Sequence, residues 1–191
     1  MVFMSGKADC NLVETVASGE AGVDVESDHR PGCIVFLDFD GVTHPDPCEA
    51  GQVFRRLPLI EAVLREFEAC QIVISSSWRV VHRLDEMRRY FSADIRSRVI
   101  DVTPEYGGPA GLGAGDPVLS AHRQWECEAW LRHKRPRMLA NQRATSAWIA
   151  IDDRDYWFRP GCENLLLTDA STGFEPDDAL RLQAMLKQRM A

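Results

Sequence analysis

Two aspartates separated by a single residue follow an uninterrupted apolar run. The run covers residues 33–37 (Cys-Ile-Val-Phe-Leu), and Asp38, Phe39, Asp40 and Gly41 come directly after it. An apolar run without alternation is typical of a strand buried on both faces. Carboxylates at the carboxyl end of such a strand lie where open α/β sheets bind ligands. Two carboxylates this close repel each other, so the pair predicts a bound cation, and hard oxygen ligands suit Mg²⁺.

Two later apolar runs also end in polar clusters. Three serines, Ser75, Ser76 and Ser77, follow residues 72–74, and two acids, Asp152 and Asp153, follow residues 148–151. The carboxyl ends of parallel strands lie at one edge of a sheet. We therefore expect these clusters to meet the first aspartate pair in one pocket, although they are far apart in sequence.

The rest of the chain has the pattern needed to position those clusters. From residue 33 onward, short apolar runs alternate with helical periodicity, which indicates βα units and a mainly parallel sheet. The predicted fold class is α/β, a three-layer α/β/α sandwich. Strands are predicted at residues 33–37, 72–74, 99–102, 148–151 and 165–167. Helices are predicted at residues 59–67, at 77–91 with Ser77 as N-cap and Val81, Leu84, Met87 and Phe91 on one face, at 120–133, and from Pro176 onward.

Composition limits the function classes. The chain has 191 residues, of which 45% are hydrophobic and 27% charged, and its net charge of −7 argues against broad adhesion to nucleic acid or anionic membranes. Residues 1–32 lack a sustained period and predict a flexible tail, which leaves residues 33–191 as one folded domain. With neither a membrane-length apolar run nor a signal-like start, we expect a cytoplasmic protein without a membrane partner. Cys33 and Cys70, beside apolar runs, are expected to be core residues.

These motifs resemble those of the haloacid dehalogenase (HAD) superfamily of aspartate-dependent phosphohydrolases. Residues 34–42 match its first motif, residues 72–76 its second and residues 149–153 its fourth, and the resemblance extends over roughly residues 33–187. The stretch Arg-x-x-Glu-x-x-x-Trp-Leu from Arg123 resembles a bacterial subgroup of HAD domains associated with RNA-repair proteins, which also carries a Ser-Trp-Arg-like second motif (here residues 77–79) and Asp-Asp in the fourth. The resemblance implies a Rossmann-like HAD fold. The short spacings between motifs leave no room for a large cap domain, so the site should be open.

The resemblance also implies roles for the acidic residues. Asp38 would be the nucleophile that becomes an aspartyl phosphate. Asp40 would be the general acid and base, and its backbone carbonyl would be a metal ligand. Asp152 and Asp153 would complete the Mg²⁺ site together with Asp38. One of them, most often the second in the family, would bind the metal directly, and the other would act through water or a lysine or arginine partner. Gly41 would let the chain turn sharply beside the phosphate.

Other residues are implied as phosphate-binding groups. Ser76, with Ser75 as the alternative, would bond the phosphoryl oxygens, and Arg123, with Lys134 as the alternative, would supply the third-motif cation. Arg79 would either grip substrate or remain a solvated surface arginine. The expected substrate-binding set is Gly41, Ser75, Ser77 and Arg79. His44 is interpreted as a plain loop residue, and Trp130 and Trp148 as core residues. Trp157 and Arg159 remain open as substrate contacts.

The function expected from these residues is a Mg²⁺-dependent phosphomonoesterase. Its expected partner is a phosphorylated substrate, with a polynucleotide or nucleotide phosphate end as the favoured class, and the protein would be a monomer or a weak dimer. Two alternatives stay open: a phosphatase of phosphoproteins or small metabolites, and a non-catalytic phosphate-binding module that keeps the fold.

Overall fold

A five-stranded parallel sheet forms the centre of the molecule. The computed structural model describes residues 32–105, 121–134 and 147–191. The strands are β1 (Ile34–Leu37), β2 (Gln71–Ile74), β3 (Val99–Val102), β4 (Trp148–Asp152) and β5 (Leu165–Leu167), in the order β3-β2-β1-β4-β5. The first-motif strand β1 therefore lies at the centre, between the strands that carry the second and fourth motifs. This arrangement confirms the predicted α/β class.

Helices cover both faces of the sheet. They are α1 (Leu57–Arg65), α2 (Leu84–Met87), α3 (Ala93–Arg96), α4 (His122–His133) and α5 (Pro176–Arg189), with short 3-10 helices at Ala50–Gln52, Ser77–Val80, Arg88–Tyr90 and Asp155–Trp157. Between β1 and β2, residues 38–70 hold only one of these 3-10 helices and α1. The described residues thus contain no large inserted cap domain.

The side chains of β1 alternate between two cores. Val35 and Leu37 pack in a cluster with apolar residues of α1 and α5. Ile34 and Phe36 face the opposite side, where Trp130 of α4 is part of the cluster. All four β1 side chains are buried, which explains why this strand lacks polar alternation. The three-layer prediction is therefore correct.

Several predicted core residues are buried as expected. Trp130, Cys33 and Cys70 are completely inaccessible, and Trp148 is nearly so. None of the helices in the described ranges combines the length and apolar character that crossing a membrane requires. The predicted tail at residues 1–32 lies, except for its last residue, outside the described residues.

Strand register brings the three motifs level. Leu37 pairs with Ile74 of β2 and with Ile151 of β4. The Ser75 N–H donates to the Leu37 carbonyl at 2.9 Å, and the Asp38 N–H donates to the Ile151 carbonyl at 3.1 Å. The next residue on each strand is therefore Asp38, Ser75 or Asp152, which places these three polar residues side by side at one edge.

The single helix predicted for residues 77–91 is wrong. The segment forms the 3-10 helix Ser77–Val80, then α2, then the 3-10 helix Arg88–Tyr90. Ser76 rather than Ser77 is the N-cap, because its side chain accepts the Trp78 N–H. The backbone is extended at Arg83 (φ −75°, ψ 151°), and an extended residue interrupts helical hydrogen bonding. Val81 is consequently 77% exposed instead of facing the core.

Candidate active site

Three aspartate side chains converge at the carboxyl edge of the sheet. Oxygen atoms of Asp38, Asp152 and Asp153 all lie within 4.8 Å of one another. Asp38 and Asp152 are buried, and the Asp153 side chain is only 2% exposed. The structure thus brings together the first- and fourth-motif acids as the sequence predicts.

The electrostatics of this acidic cluster favour a cation. Burial and the nearby charge of Asp38 raise the pKa of Asp152 well above its usual range, although Arg123 opposes the shift. Burial and Asp38 also raise the pKa of Asp153, against the opposing charge of Arg154. The buried Asp152 Oδ2 accepts no hydrogen bond among the described residues. Clustered carboxylate oxygens with an orphaned buried acceptor are a donor set that fits Mg²⁺.

Arg123 lies against this cluster, whereas Lys134 does not. The Arg123 side chain, on α4, is 4% exposed, and its Nε is 3.5 Å from Asp152 Oδ2. Burial disfavours its charge, but Asp38 and Asp152 outweigh burial and raise its pKa. Arg123 Nε and Nη1 donate no hydrogen bond within the described ranges. Lys134 instead pairs with Asp101 at 3.1 Å, and its side chain is 41% exposed. The placement favours Arg123 as the third-motif cation.

The serines of the second motif differ in their bonding. The Ser75 hydroxyl is buried and has no hydrogen-bond partner among the described residues. The Ser76 hydroxyl accepts the Trp78 backbone N–H at 3.4 Å, and Ser77 is exposed. Because Ser75 stands level with Asp38 in the sheet, its hydroxyl is better placed than that of Ser76 to meet a phosphoryl oxygen. The geometry favours the alternative serine over the one preferred from the sequence.

Arg79 is buried rather than solvated. Its side chain is 6% exposed and pairs with Glu126 of α4 at 2.6 Å. Its Nη1 donates to the carbonyls of Ser75 and Ser76 at 2.7 and 2.8 Å. Arg79 therefore links residues 75–77, the serine loop, to α4, the helix that carries Arg123. The solvated alternative is therefore wrong, and the role in substrate binding stays a prediction.

Asp40 lies apart from the acidic cluster in a separate network. Trp78 Nε1 donates to Asp40 Oδ1 and Oδ2 at 3.1 and 2.9 Å, and His44 Nε2 is 3.1 Å from Oδ1. The hydrogen bond from His44 and, to a smaller extent, the bond from Trp78 lower the pKa of Asp40. His44 is 3% exposed, so its interpretation as a plain loop residue is wrong.

The sequence analysis assigned no role to Trp78. The signal that could have found it is its position: it is the second residue after Ser76, at the start of the segment that must leave the phosphate-binding edge. A donor-only indole at that point can reach back toward first-motif acceptors.

Arg154 links the outer rim of the site. Its Nε is 3.3 Å from Asp153 Oδ2, and its Nη2 is 3.2 Å from Asp46 Oδ2. Its Nη1 donates to the Tyr156 hydroxyl at 2.9 Å, and its guanidinium lies 5.2 Å from the ring centroid of Trp157. Arg123 lies 4.8 Å from the same ring. The Trp157 ring thus contacts both the buried guanidinium of Arg123 and the outer rim of the site, which Arg154 and Tyr156 form.

Gly41 is required by close packing. Its φ is +69°, and a Cβ at this position would lie 2.5 Å from Asp153 Oδ2. Its carbonyl also accepts a hydrogen bond from the Thr168 hydroxyl at 2.8 Å. Only glycine combines a left-handed backbone with so close an approach. The predicted sharp turn is present, and here it makes room for the Asp153 carboxylate.

Comparison with known proteins gives one family. A protein-family model described as "HAD domain in Swiss Army Knife RNA repair proteins" matches residues 34–179. No curated protein and no solved structure matches the chain. The matched range includes the acidic cluster, the serine loop and the helix that carries Arg123, and it confirms the resemblance seen in the sequence. The chain therefore belongs to the family of HAD domains found in Swiss Army Knife RNA repair proteins.

Proposed function

We propose that this protein is a Mg²⁺-dependent phosphomonoesterase that works through an aspartyl phosphate on Asp38. Its membership of a HAD family makes it a phosphatase-type hydrolase. The observation that carries the finer proposal is the convergence of Asp38, Asp152 and Asp153 within 4.8 Å beside the buried Arg123. A nucleophilic carboxylate, two further acids and a cation are the groups that phosphoryl transfer through aspartate needs.

The acidic cluster would hold the metal ion. Asp38, Asp152 and Asp153 would supply carboxylate oxygens, and the Asp40 backbone carbonyl would add a ligand. A bound Mg²⁺ would offset the negative charge that otherwise repels a phosphate from Asp38. The raised pKa values of Asp152 and Asp153 support this proposal. Burial and the negative charge of Asp38 outweigh the nearby arginines, so the cluster still lacks positive charge.

The protein side chains would then carry two displacements. An Asp38 carboxylate oxygen forms a bond to phosphorus while the bond between phosphorus and the leaving oxygen breaks. Asp40, which must first take a proton from the bound phosphate monoester because its own pKa is lowered, gives that proton to the leaving oxygen. A water oxygen next attacks the same phosphorus, Asp40 takes the water proton, and the bond to Asp38 breaks to release phosphate. Arg123 and Ser75 would donate hydrogen bonds to the phosphoryl oxygens in both steps. The unbonded buried donors of Arg123 support this role.

We further propose that the substrate is a polynucleotide or nucleotide phosphate end. The family description, which names RNA repair proteins, supports this class. So does the rim of the site, where Tyr156 is 54% exposed beside Trp157 and Arg154. Nucleobases stack on aromatic rings, and arginines contact backbone phosphates. A site without a large cap in the described ranges would admit such a large substrate.

Hydrolysis of p-nitrophenyl phosphate tests the enzymatic proposal. We expect turnover with Mg²⁺, none in EDTA, and none for Asp38→Asn. The matched control is Asp85→Asn, which makes the same change at a surface side chain that is 73% exposed, and it should retain wild-type activity. Absence of turnover on every phosphomonoester tested with Mg²⁺ would contradict the proposal and favour a non-catalytic phosphate-binding module.

A substrate panel tests the proposed class. It compares 3′- and 5′-phosphorylated oligonucleotides, mononucleotides, phosphopeptides and sugar phosphates by kcat/KM. We expect one of the oligonucleotide ends or the mononucleotides to be preferred. A preference for phosphopeptides, or activity confined to sugar phosphates, would overturn the substrate class while leaving the phosphatase chemistry in place.

A further inference from the structure

The carboxylate of Asp40 is held by the side chains of Trp78 and His44. Neither residue has a role in the catalytic proposal above. Trp78 Nε1 donates to both of its oxygens, at 3.1 and 2.9 Å, and His44 Nε2 approaches Oδ1 at 3.1 Å. The Asp40 side chain is 36% exposed. Without these partners, a carboxylate this accessible would be free to change rotamer, because no other hydrogen bond to its oxygens is present among the described residues.

The indole of Trp78 is fixed by its surroundings. Its ring packs edge to face against Phe39 at 5.7 Å and against Phe54 at 5.5 Å between ring centroids. Its backbone N–H is bonded to the Ser76 hydroxyl. Because an indole nitrogen is only a donor, this packing fixes a single N–H direction, and that direction is toward Asp40.

The ring of His44 is also fixed by its neighbours. The Phe54 backbone N–H donates to His44 Nδ1 at 3.4 Å, and the Thr43 hydroxyl is 3.0 Å from the same nitrogen. An ionised carboxylate only accepts hydrogen bonds, so the ring nitrogen that faces it, Nε2, carries a proton and donates to Asp40. Phe54 adopts φ +62°, an uncommon conformation for a residue other than glycine.

We propose that Trp78 and His44 are positioning residues that hold the Asp40 carboxylate in the orientation needed for proton transfer to the leaving oxygen. The proposal rests on the function of Asp40 proposed above. Trp78 bonds to both oxygens of the carboxylate and His44 to one of them, so the group is held at two points. Trp78 acts through Asp40, so its loss should matter most where the leaving oxygen most needs a proton.

Leaving-group dependence separates this role from a structural one. A p-nitrophenolate leaves without much help from an acid, whereas an alkoxide leaves poorly unless it is protonated. For Trp78→Phe, we expect kcat/KM to fall about ten- to hundredfold for β-glycerophosphate and less than about threefold for p-nitrophenyl phosphate. The matched control is Trp130→Phe, which also removes an indole N–H bonded to a carboxylate, that of Asp101 at 2.7 Å. The control should change both substrates by the same factor.

A pair of His44 variants provides a second arm. The amide nitrogen of His44→Gln can occupy the place of Nε2 and keep a donor, whereas His44→Leu cannot. For each variant we compare kcat/KM for β-glycerophosphate with kcat/KM for p-nitrophenyl phosphate. We expect the ratio of these two values to stay near that of the wild type in His44→Gln and to shift in His44→Leu. If all these variants lower kcat/KM for both substrates by the same factor, the positioning role is refuted. If the wild-type protein hydrolyses neither substrate, the proposed function itself is refuted.

A spectroscopic measurement tests the hydrogen bond without activity. The indole ¹H–¹⁵N resonance that disappears in Trp78→Phe should move upfield in Asp40→Asn, because a neutral amide accepts a weaker hydrogen bond than a carboxylate. A resonance that does not respond to Asp40→Asn would show that the bond is absent, and the inference would be overturned.

Discussion

Replacing Gly41 by alanine should damage the metal site through a single steric contact. The new Cβ would lie 2.5 Å from Asp153 Oδ2 and 2.6 Å from its Cγ. These atoms cannot move away at low cost, because the Asp153 side chain is 2% exposed and its carboxylate pairs with Arg154. Relief of the contact requires the carboxylate to move by roughly 1 Å, since nonbonded atoms prefer separations of about 3.5 Å.

The expected loss has two parts that can be separated. A left-handed backbone costs a residue with a Cβ about 1–2 kcal/mol, which lowers Tm by roughly 2–8 °C in a domain of this size. Displacement of Asp153 adds a loss of metal affinity, because metal–ligand distances hold to within about 0.2 Å. We expect Mg²⁺ binding to weaken by about ten- to a hundredfold.

Gly161 supplies the matched control. Its φ is +74°, but a Cβ there would meet no atom of the described residues within 4 Å. Gly161→Ala should therefore carry the backbone cost alone. In EDTA, both alanine variants should unfold at a lower temperature than the wild type, but only Gly41→Ala should also respond less to Mg²⁺.

Thermal unfolding at increasing Mg²⁺ concentration measures this response. At about 100 times Kd, binding stabilises the wild type by about 2.7 kcal/mol, roughly 5–11 °C. A hundredfold weaker site leaves about 0.4 kcal/mol at the same concentration. If Gly41→Ala retains the Mg²⁺-dependent shift of the wild type and of Gly161→Ala, then either Asp153 is not a metal ligand or the contact does not displace it, and the reasoning is refuted.

Three further predictions follow from the site. Asp152→Asn should abolish the Mg²⁺-dependent rise in Tm, because it removes a carboxylate oxygen from the acidic cluster; a rise equal to that of the wild type would contradict this. Arg123→Met should reduce kcat/KM at least about a hundredfold. Lys134→Met, at a side chain 41% exposed, should keep kcat/KM within about threefold of the wild-type value. Equal losses would argue against Arg123 as the third-motif cation. Tyr156→Ala should raise KM about tenfold for a phosphorylated oligonucleotide but not for p-nitrophenyl phosphate. Tyr156→Phe keeps the ring and should retain the wild-type KM, so a loss of equal size in Tyr156→Phe would exclude stacking.

The sheet and the acidic cluster could be predicted because both follow from one-dimensional patterns. Each central strand is an apolar run with a polar residue immediately after it, and parallel strands in register bring those residues to one edge. The convergence of Asp38, Asp152 and Asp153 needed no knowledge of side-chain packing. The prediction of one helix after β2 was wrong. The apolar spacing of that segment fits a continuous helix, whereas extended backbone at Arg83 divides the segment into short turns.

The parts of the site that sequence could not predict depend on contacts across the fold. The direction of the Arg79 guanidinium is determined by Glu126 on α4, and nothing in the serine loop indicates that partner. The Trp78 indole reaches Asp40 because rings of Phe39 and Phe54 pack against it. These contacts join residues distant in sequence, and side-chain direction is not encoded by residue spacing.

The aspartates of this site occupy two environments with opposite electrostatic effects, which leads to one further test. Burial and like charge raise the pKa values of Asp152 and Asp153, whereas the hydrogen bonds from His44 and Trp78 lower that of Asp40. Carboxylates whose environments shift their pKa values apart commonly perform different tasks. Trp78→Phe should therefore keep the Mg²⁺-induced rise in Tm that Gly41→Ala loses. If Trp78→Phe abolishes that rise as well, the network around Asp40 also determines metal binding, and the separation of acid–base and metal functions is wrong.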